Sequence, residues 1–127
     1  MPVGLGTTTL ANNWLNMIRA VAFTAPAGTF IALRIGDPGS AGASNPSAVT
    51  TRQSATFSAA SAGAIALSNT PSFTMTASET ISHIAVFDAV TGGNFLWSAA
   101  LTTSRAVVNT DVLNFNTVGL SLTPLAS

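Results

Sequence analysis

The amino-acid sequence predicts a mainly β protein: an antiparallel β-sandwich, jelly-roll-like, with one short N-terminal α-helix. Three observations carry this. One segment near the start repeats its apolar residues at helical spacing. Short alternating segments, punctuated by Gly, Pro, Asn, Ser and Thr, fill the remainder, and no helical pattern separates them as parallel βαβ units would require. The 127 residues suit one domain, 1–127, and a chain of this length buries roughly two-thirds of its unfolded surface.

The helix is expected from Thr7 to Val21, with its regular part over about 8–21. Leu10, Trp14, Met17, Ile18 and Val21 recur three and four residues apart, and one of Thr7 to Thr9 can cap the start. That stripe predicts docking on the sheet or on a neighbour. After Pro26 and Gly28 the period becomes that of a strand. Thr29 to Ile35 places Ile31, Leu33 and Ile35 on one face and Phe30, Ala32 and Arg34 on the other. Gly36 to Thr50 is a long Gly/Ser/Ala/Asn/Pro loop with turn signals at its start, the kind of loop that often serves as a contact element. Further strands are expected at Thr51 to Ser58, Ala64 to Asn69, Ser72 to Ala77, Thr80 to Asp88, Asn94 to Thr102, Ala106 to Asn109, Val112 to Phe115 and Gly119 to Leu125. The strongest hairpin joins Ile81–Asp88 to Phe95–Leu101 through Thr91-Gly92-Gly93-Asn94, whose paired glycines supply positive φ. In its second strand Phe95 and Trp97 are expected to alternate with Leu96. Most of the aromatic residues are expected in the core.

Composition narrows the function classes. Four arginines, no lysine, three aspartates and one glutamate leave charged residues at 6% of the chain, against about a quarter in ordinary soluble domains. With net charge near zero and 47% apolar residues, little repulsion keeps copies apart, and the surface reads as one largely covered by protein partners. Too few basic residues are present to track phosphates, so no nucleic-acid partner is expected. Every apolar run is broken well short of the about 20 residues that span a bilayer, so no membrane partner is expected either, and the basic start of a signal peptide is absent. The absence of cysteine excludes disulfides and thiolate metal sites.

No residue pattern carries chemistry, and no catalytic, cofactor-binding or metal residue is assigned. His83 is the sole histidine and is expected on one strand face with Ile81, Ala85 and Phe87. A catalytic reading would recruit Ser82 or Ser98 as nucleophile and Asp88 as orienting acid, but neighbours in a strand point to opposite faces, which separates Ser82 from His83. Asp37, Glu79, Asp88 and Asp111 are scattered, which disfavours a cation site. Asp37 is expected to cap the turn before Pro38, and Asp88 to close the hairpin end. Arg34 and Arg52, in strands, are candidates for fixed carboxylate or carbonyl contacts within or between subunits. Trp14 or Trp97 could offer a sugar-stacking surface.

The run AFTAPAGTFIALRIGDPGSAGAS after the helix, then TRQSATF, then ISHIAVFDAVTGGNFLWSAALTTSRAV and a closing LSLTP, resembles small virion structural proteins of tailed, long-tailed bacteriophages. These are variously labelled tail fibre, minor tail or capsid-decoration proteins. The resemblance runs from about Leu10 to Leu122. It is most specific over His83 to Trp97, with Phe87, Asp88, Gly92, Gly93 and Trp97 in register, followed by the Asp37-Pro38-Gly39 turn and Arg52-Gln53. Ser44-Asn45-Pro46-Ser47 stands where such relatives usually carry an acidic residue, and an aromatic residue expected shortly before Arg52 is missing. The resemblance implies a β-sandwich in the virion, made in the host bacterial cytoplasm, without catalysis.

The leading expectation is therefore a non-enzymatic structural subunit, decorating or stabilising the particle. It would self-associate as a homo-oligomer such as a trimer and bind major capsid or tail proteins. Candidate partner contacts are Trp14, Arg34, Asp37, Pro38, Arg52 and Trp97. The alternative is a receptor-binding tail-fibre module recognising a host surface glycan or protein through Gly36 to Thr50 or the Trp97 region. A hydrolase centred on His83 is the third class.

Overall fold

The computed structural model describes residues 3–122 and 126. A π-helical turn, Thr7–Ala11, leads into helix α1, Asn12–Ile18, and eight strands follow: β1 Phe30–Arg34, β2 Gln53–Ser54, β3 Ala64–Ala66, β4 Ser72–Thr74, β5 Glu79–Phe87, β6 Phe95–Val107, β7 Val112–Asn114 and β8 Gly119–Ser121. All pairings are antiparallel. One four-stranded sheet runs β2-β1-β5-β6, and two ribbons, β3-β8 and β4-β7, stand apart from it. The mainly β antiparallel class with one short N-terminal helix is as the sequence predicts. Within it, the second layer is two ribbons rather than a continuous sheet.

The two faces of the large sheet are covered differently. Register sets Ile31 opposite Val86 and Leu33 opposite Ile84, with Val86 opposite Trp97. These side chains join Phe73, Met75, Phe115 and the helical Leu10 in one buried cluster, so the ribbons and the π-turn close this face. Phe73, 1% exposed, meets Phe115 edge-on at 5.8 Å. Truncating such a side chain costs about 3–5 kcal/mol. The other face holds a smaller cluster of Ala32, Ala85, Phe87 and Phe95. The long loop lies over it: Gly42 is buried, and a Cβ there would collide with the Phe95 ring.

Two bulges depart from the simple alternation read from the sequence. Val86 pairs with Trp97 but Phe87 with Phe95, so Leu96 is an extra residue, and both Leu96 and Trp97 turn to the main core while Phe95 serves the smaller one. Ile81 pairs with Arg105 but His83 with Ala100, so residues 101–104 bulge out opposite Ser82. Ile81 consequently joins the main core rather than the face of Ala85 and Phe87. A bulge adds unpaired residues, bends its strand and re-aims side chains, which no count of alternating residues anticipates. The two strands expected at Asn94 to Thr102 and Ala106 to Asn109 are thereby one bent strand, β6.

The helix is shorter than its periodicity suggests. It ends at Ile18 because Ala20 takes a left-handed φ of 64°. No threonine caps it: Gly6 occupies the cap position, and the Thr9 hydroxyl donates instead to the Phe95 carbonyl. Of the apolar stripe, Leu10 is buried and Trp14 half-buried, but Met17, Ile18 and Val21 are 51%, 87% and 42% exposed. The last expected strand, Gly119 to Leu125, is realised as β8, which ends at Ser121 before Leu122, and 123–125 lie outside the described residues.

Candidate functional site

The end of the sheet where β5 turns back into β6 gathers Asp88, Asn94 and Arg52 in a set of hydrogen bonds. Asp88 follows β5 and closes the turn twice. Its carboxylate accepts from the Asn94 backbone N–H at 2.7 Å and from Asn94 Nδ2 at 3.0 Å, and its own N–H donates to the Asn94 carbonyl at 3.1 Å. Gly92 and Gly93 take φ of 64° and 74° between them, as the Gly-Gly turn predicted.

Arg52, one residue before β2, is locked against this turn. Its Nη1 donates to the carbonyls of Ala89 and Gly92 at 2.8 and 2.6 Å, and its Cζ lies 3.8 Å from the Phe87 ring centre, within the range of a cation–π contact. Arg34 comes from β1 on the same face. It is 8% exposed and donates through Nε and Nη2 to the Gly42 carbonyl at 2.9 and 2.8 Å and through Nη1 to its neighbour Leu33 at 2.9 Å. Arg34 Cζ sits 5.9 Å from the same Phe87 ring. Burial lowers the pKa of both guanidiniums. The charge of Arg52 adds to the effect on Arg34, whereas Asp88 opposes it on Arg52. Among the described residues no arginine forms an ion pair, so the fixed contacts expected of Arg34 and Arg52 are made to carbonyls.

Two clefts open around this turn. One, about 350 Å³, is lined by Thr50, Thr51, Arg52, Val90, Thr91 and Gly92. The other, about 450 Å³, takes Asp88 and Asn94 from the turn, Thr8 and Asn13 from the helical segment, and Phe23. A third, apolar cleft of about 210 Å³ lies elsewhere, between Trp14 and the β3-β8 ribbon, with Ile65, Leu120 and Leu122 in its walls.

The sequence-predicted candidates are therefore split. Arg52 and Trp14 line clefts. Arg34, Pro38 and Trp97 are interior: Pro38 is fully buried, and Trp97, 4% exposed, packs against Phe57 with ring centres 5.8 Å apart. Trp97 therefore offers no surface for stacking a sugar, and its buried Nε1 has no hydrogen-bond partner. Asp37 is half-buried and accepts the Gly39 N–H at 2.8 Å, the bond that chiefly lowers its pKa. The other carboxylates also hold backbone. Glu79 accepts from the Ser47 hydroxyl and the Ala48 N–H, and Asp111 from the Val108 N–H. One expectation is corrected: Ser82 Oγ lies 2.8 Å from His83 Nδ1, at the register irregularity between Ile81 and His83, although strand alternation separates such neighbours. Thr50 closes the long loop expected to make contacts, whereas sequence reading missed Thr51, Thr91, Asn13 and Phe23 as cleft residues. Only the Gly-Gly turn beside Thr91 carried a signal, because Arg52 is placed by carbonyls, which no side-chain pattern encodes.

Among the described residues no helix is long and apolar enough to cross a membrane. A search of curated proteins finds no match. A family model does match, over residues 6–123, and it defines the class as a structural protein of the bacteriophage particle, of tail-fibre type. The chain belongs to the family described as podophage GP4 fiber I protein gp80. The tailed-phage virion class thus agrees with the resemblance in the sequence, while the family is described from a short-tailed phage rather than a long-tailed one.

Proposed function

We propose that the chain is a non-enzymatic fibre subunit, not a shell decoration, that packs against copies of itself and against other tail proteins through the outer side of α1. One observation carries this reading: Leu15, Met17 and Ile18 are 68%, 51% and 87% exposed on a helix with no charged residue in it. Large apolar side chains grouped on a surface mark protein contacts. The apolar cleft beside Trp14 continues the same region, and 6% charged residues leave little repulsion to oppose association. Synthesis in the host cytoplasm and incorporation into the tail complete the proposal.

Sedimentation of the purified chain should reveal an oligomer, with a trimer as the expected state. The double variant Leu15→Asp/Ile18→Asp alters exposed positions, so it should keep the parent circular dichroism spectrum and sediment as a monomer. A parent that stays monomeric at its highest soluble concentration rules the reading out. Antibody labelling of intact particles should mark the tail, and labelling of the shell would return the chain to a decoration role.

A second reading, receptor binding, is supported by the cleft of about 450 Å³ at the β5-β6 turn. Its amide, hydroxyl and carboxylate groups with an aromatic neighbour form the mixture that holds a neutral polar ligand such as a sugar. Saturable adsorption of the isolated protein to host cells tests it. Adsorption no greater than that of an unrelated protein rejects it.

A further inference from the structure

We propose that the cleft formed by Thr50, Thr51, Arg52 and Thr91 binds an oxyanion, a carboxylate or phosphate group carried by a host surface polysaccharide. This is a separate site from the cleft of about 450 Å³, with its own ligand class, and it rests on the receptor-binding reading only for the biological source. The argument begins with what holds Arg52. Nη1 is fully used by the Ala89 and Gly92 carbonyls, and Cζ lies 3.8 Å from the Phe87 ring centre. Nε and Nη2 have no hydrogen-bond partner among the described residues. Three N–H donors of a planar cation thus remain, in the fork that matches a carboxylate or phosphate edge. Because these contacts already hold the side chain in place, little rotamer entropy is lost when an anion docks.

The surroundings fit that role. Thr50, Thr51 and Thr91 share the cleft wall with Arg52. All three are exposed, and none of their hydroxyls bonds to the described protein, so each is open as a further donor. Asp88 is the carboxylate that acts on Arg52, but it makes no ion pair with it and its two oxygens are engaged by Asn94. Val90, 56% exposed, adds an apolar wall for the carbon skeleton that bears the anion. At about 350 Å³ the cleft lies in the range of small-ligand sites. Arg34 offers no such opening: all three of its nitrogens are committed to carbonyls and it is buried.

The test uses the full ¹⁵N-labelled chain and follows the Arg52 Nε–H resonance together with the backbone amides of residues 50–53 and 91–92. The probes are inorganic phosphate and methyl galacturonate, with neutral methyl galactoside as control, at constant ionic strength. Saturable shifts confined to these resonances with an acidic probe, and none with the neutral sugar, are expected. Response to the uronate assigns a sugar carboxylate, and response to phosphate alone assigns a phosphate-bearing polymer; either supports an oxyanion site. Arg52→Lys, which loses the planar fork, should weaken binding about tenfold. Since Arg52 also holds the turn, Thr51→Val and Thr91→Val provide an independent arm: unchanged thermal melting, with binding weakened about fivefold in one or both. No saturable shift with either acidic probe overturns the proposal, as does an equal response to the neutral sugar. So does parent-like affinity in Arg52→Lys and both threonine variants. Cell adsorption without anion binding would leave the receptor reading standing and remove this one; anion binding without adsorption would do the reverse.

Discussion

Arg34 and Arg52 share the Phe87 ring but are fixed for different ends. A buried cation is expensive unless its donors are satisfied. Arg34 meets that condition with two carbonyls, one on each side: Gly42 in the long loop and its own neighbour Leu33. It thereby ties the loop over the smaller core cluster, where Gly42 is already pressed on Phe95 at a positive φ of 72°. Arg34→Met keeps the aliphatic stem but strips the donors and leaves the Gly42 carbonyl without its buried partner. The expected loss is about 1–3 kcal/mol, read as a lower urea midpoint, with faster proteolysis between residues 36 and 50. A Met variant as stable and as protease-resistant as the parent would show that the loop is held by packing alone. Arg52 is held by the turn on one side only, and that asymmetry is why it has donors to spare.

Between elements, what could be read in advance depended on whether the backbone stayed regular. The β5-β6 hairpin was legible because two cues agreed: alternation in Ile84 to Phe87 and a Gly-Gly turn. The faces of β1 were legible from alternation alone, with Ile31 and Leu33 inward and Ala32 and Arg34 opposite. Ile81, Leu96 and Ser82 were not, since each sits at or beside a bulge, and a bulge changes the phase of every side chain beyond it. The site was half legible: Arg52 stood out as a strand arginine in a chain without lysine, but its threonine neighbours come from separate segments joined only by the fold. The turn itself makes a prediction. Gly92 has open space where a side chain would go, whereas a Cβ on Gly93 would meet Asp88 Oδ1 and lie 2.7 Å from Ala89 Cβ. Gly92→Asn, a residue that tolerates left-handed φ, should cost well under about 1 kcal/mol, whereas Gly93→Ala should cost more than the about 1–2 kcal/mol of backbone strain alone. Thermal denaturation of the pair checks the order; equal losses would contradict the close approach at Gly93.

Across the whole molecule the four carboxylates and two of the four arginines are bound to backbone groups, turn amides for the acids and carbonyls for the bases. Charge here fastens loops, and among the described residues no arginine forms an ion pair; this fixes how stability and association should respond to solution conditions. Asp37 has its pKa lowered chiefly by the Gly39 N–H, so near the unfolded carboxylate pKa the unfolded chain binds more protons than the folded one. The Asp37 contribution is therefore complete above about pH 4 and is lost as pH falls through the lower folded value. Urea midpoints measured across that window should fall less steeply for Asp37→Asn than for the parent, and parallel slopes would contradict the assignment. Association through α1 should respond to salt in the way apolar contacts do. Raising NaCl from about 0.1 to about 1 M shortens the Debye length from about 10 to about 3 Å, which weakens contacts held by ion pairs. Burial of Leu15, Met17 and Ile18 involves no such pair, and salts excluded from protein surfaces strengthen it. The sedimentation-derived dissociation constant of the oligomer should hold steady in NaCl and tighten in sulfate; a constant that weakens steeply with NaCl would place the self-contact on charged residues and away from this helix.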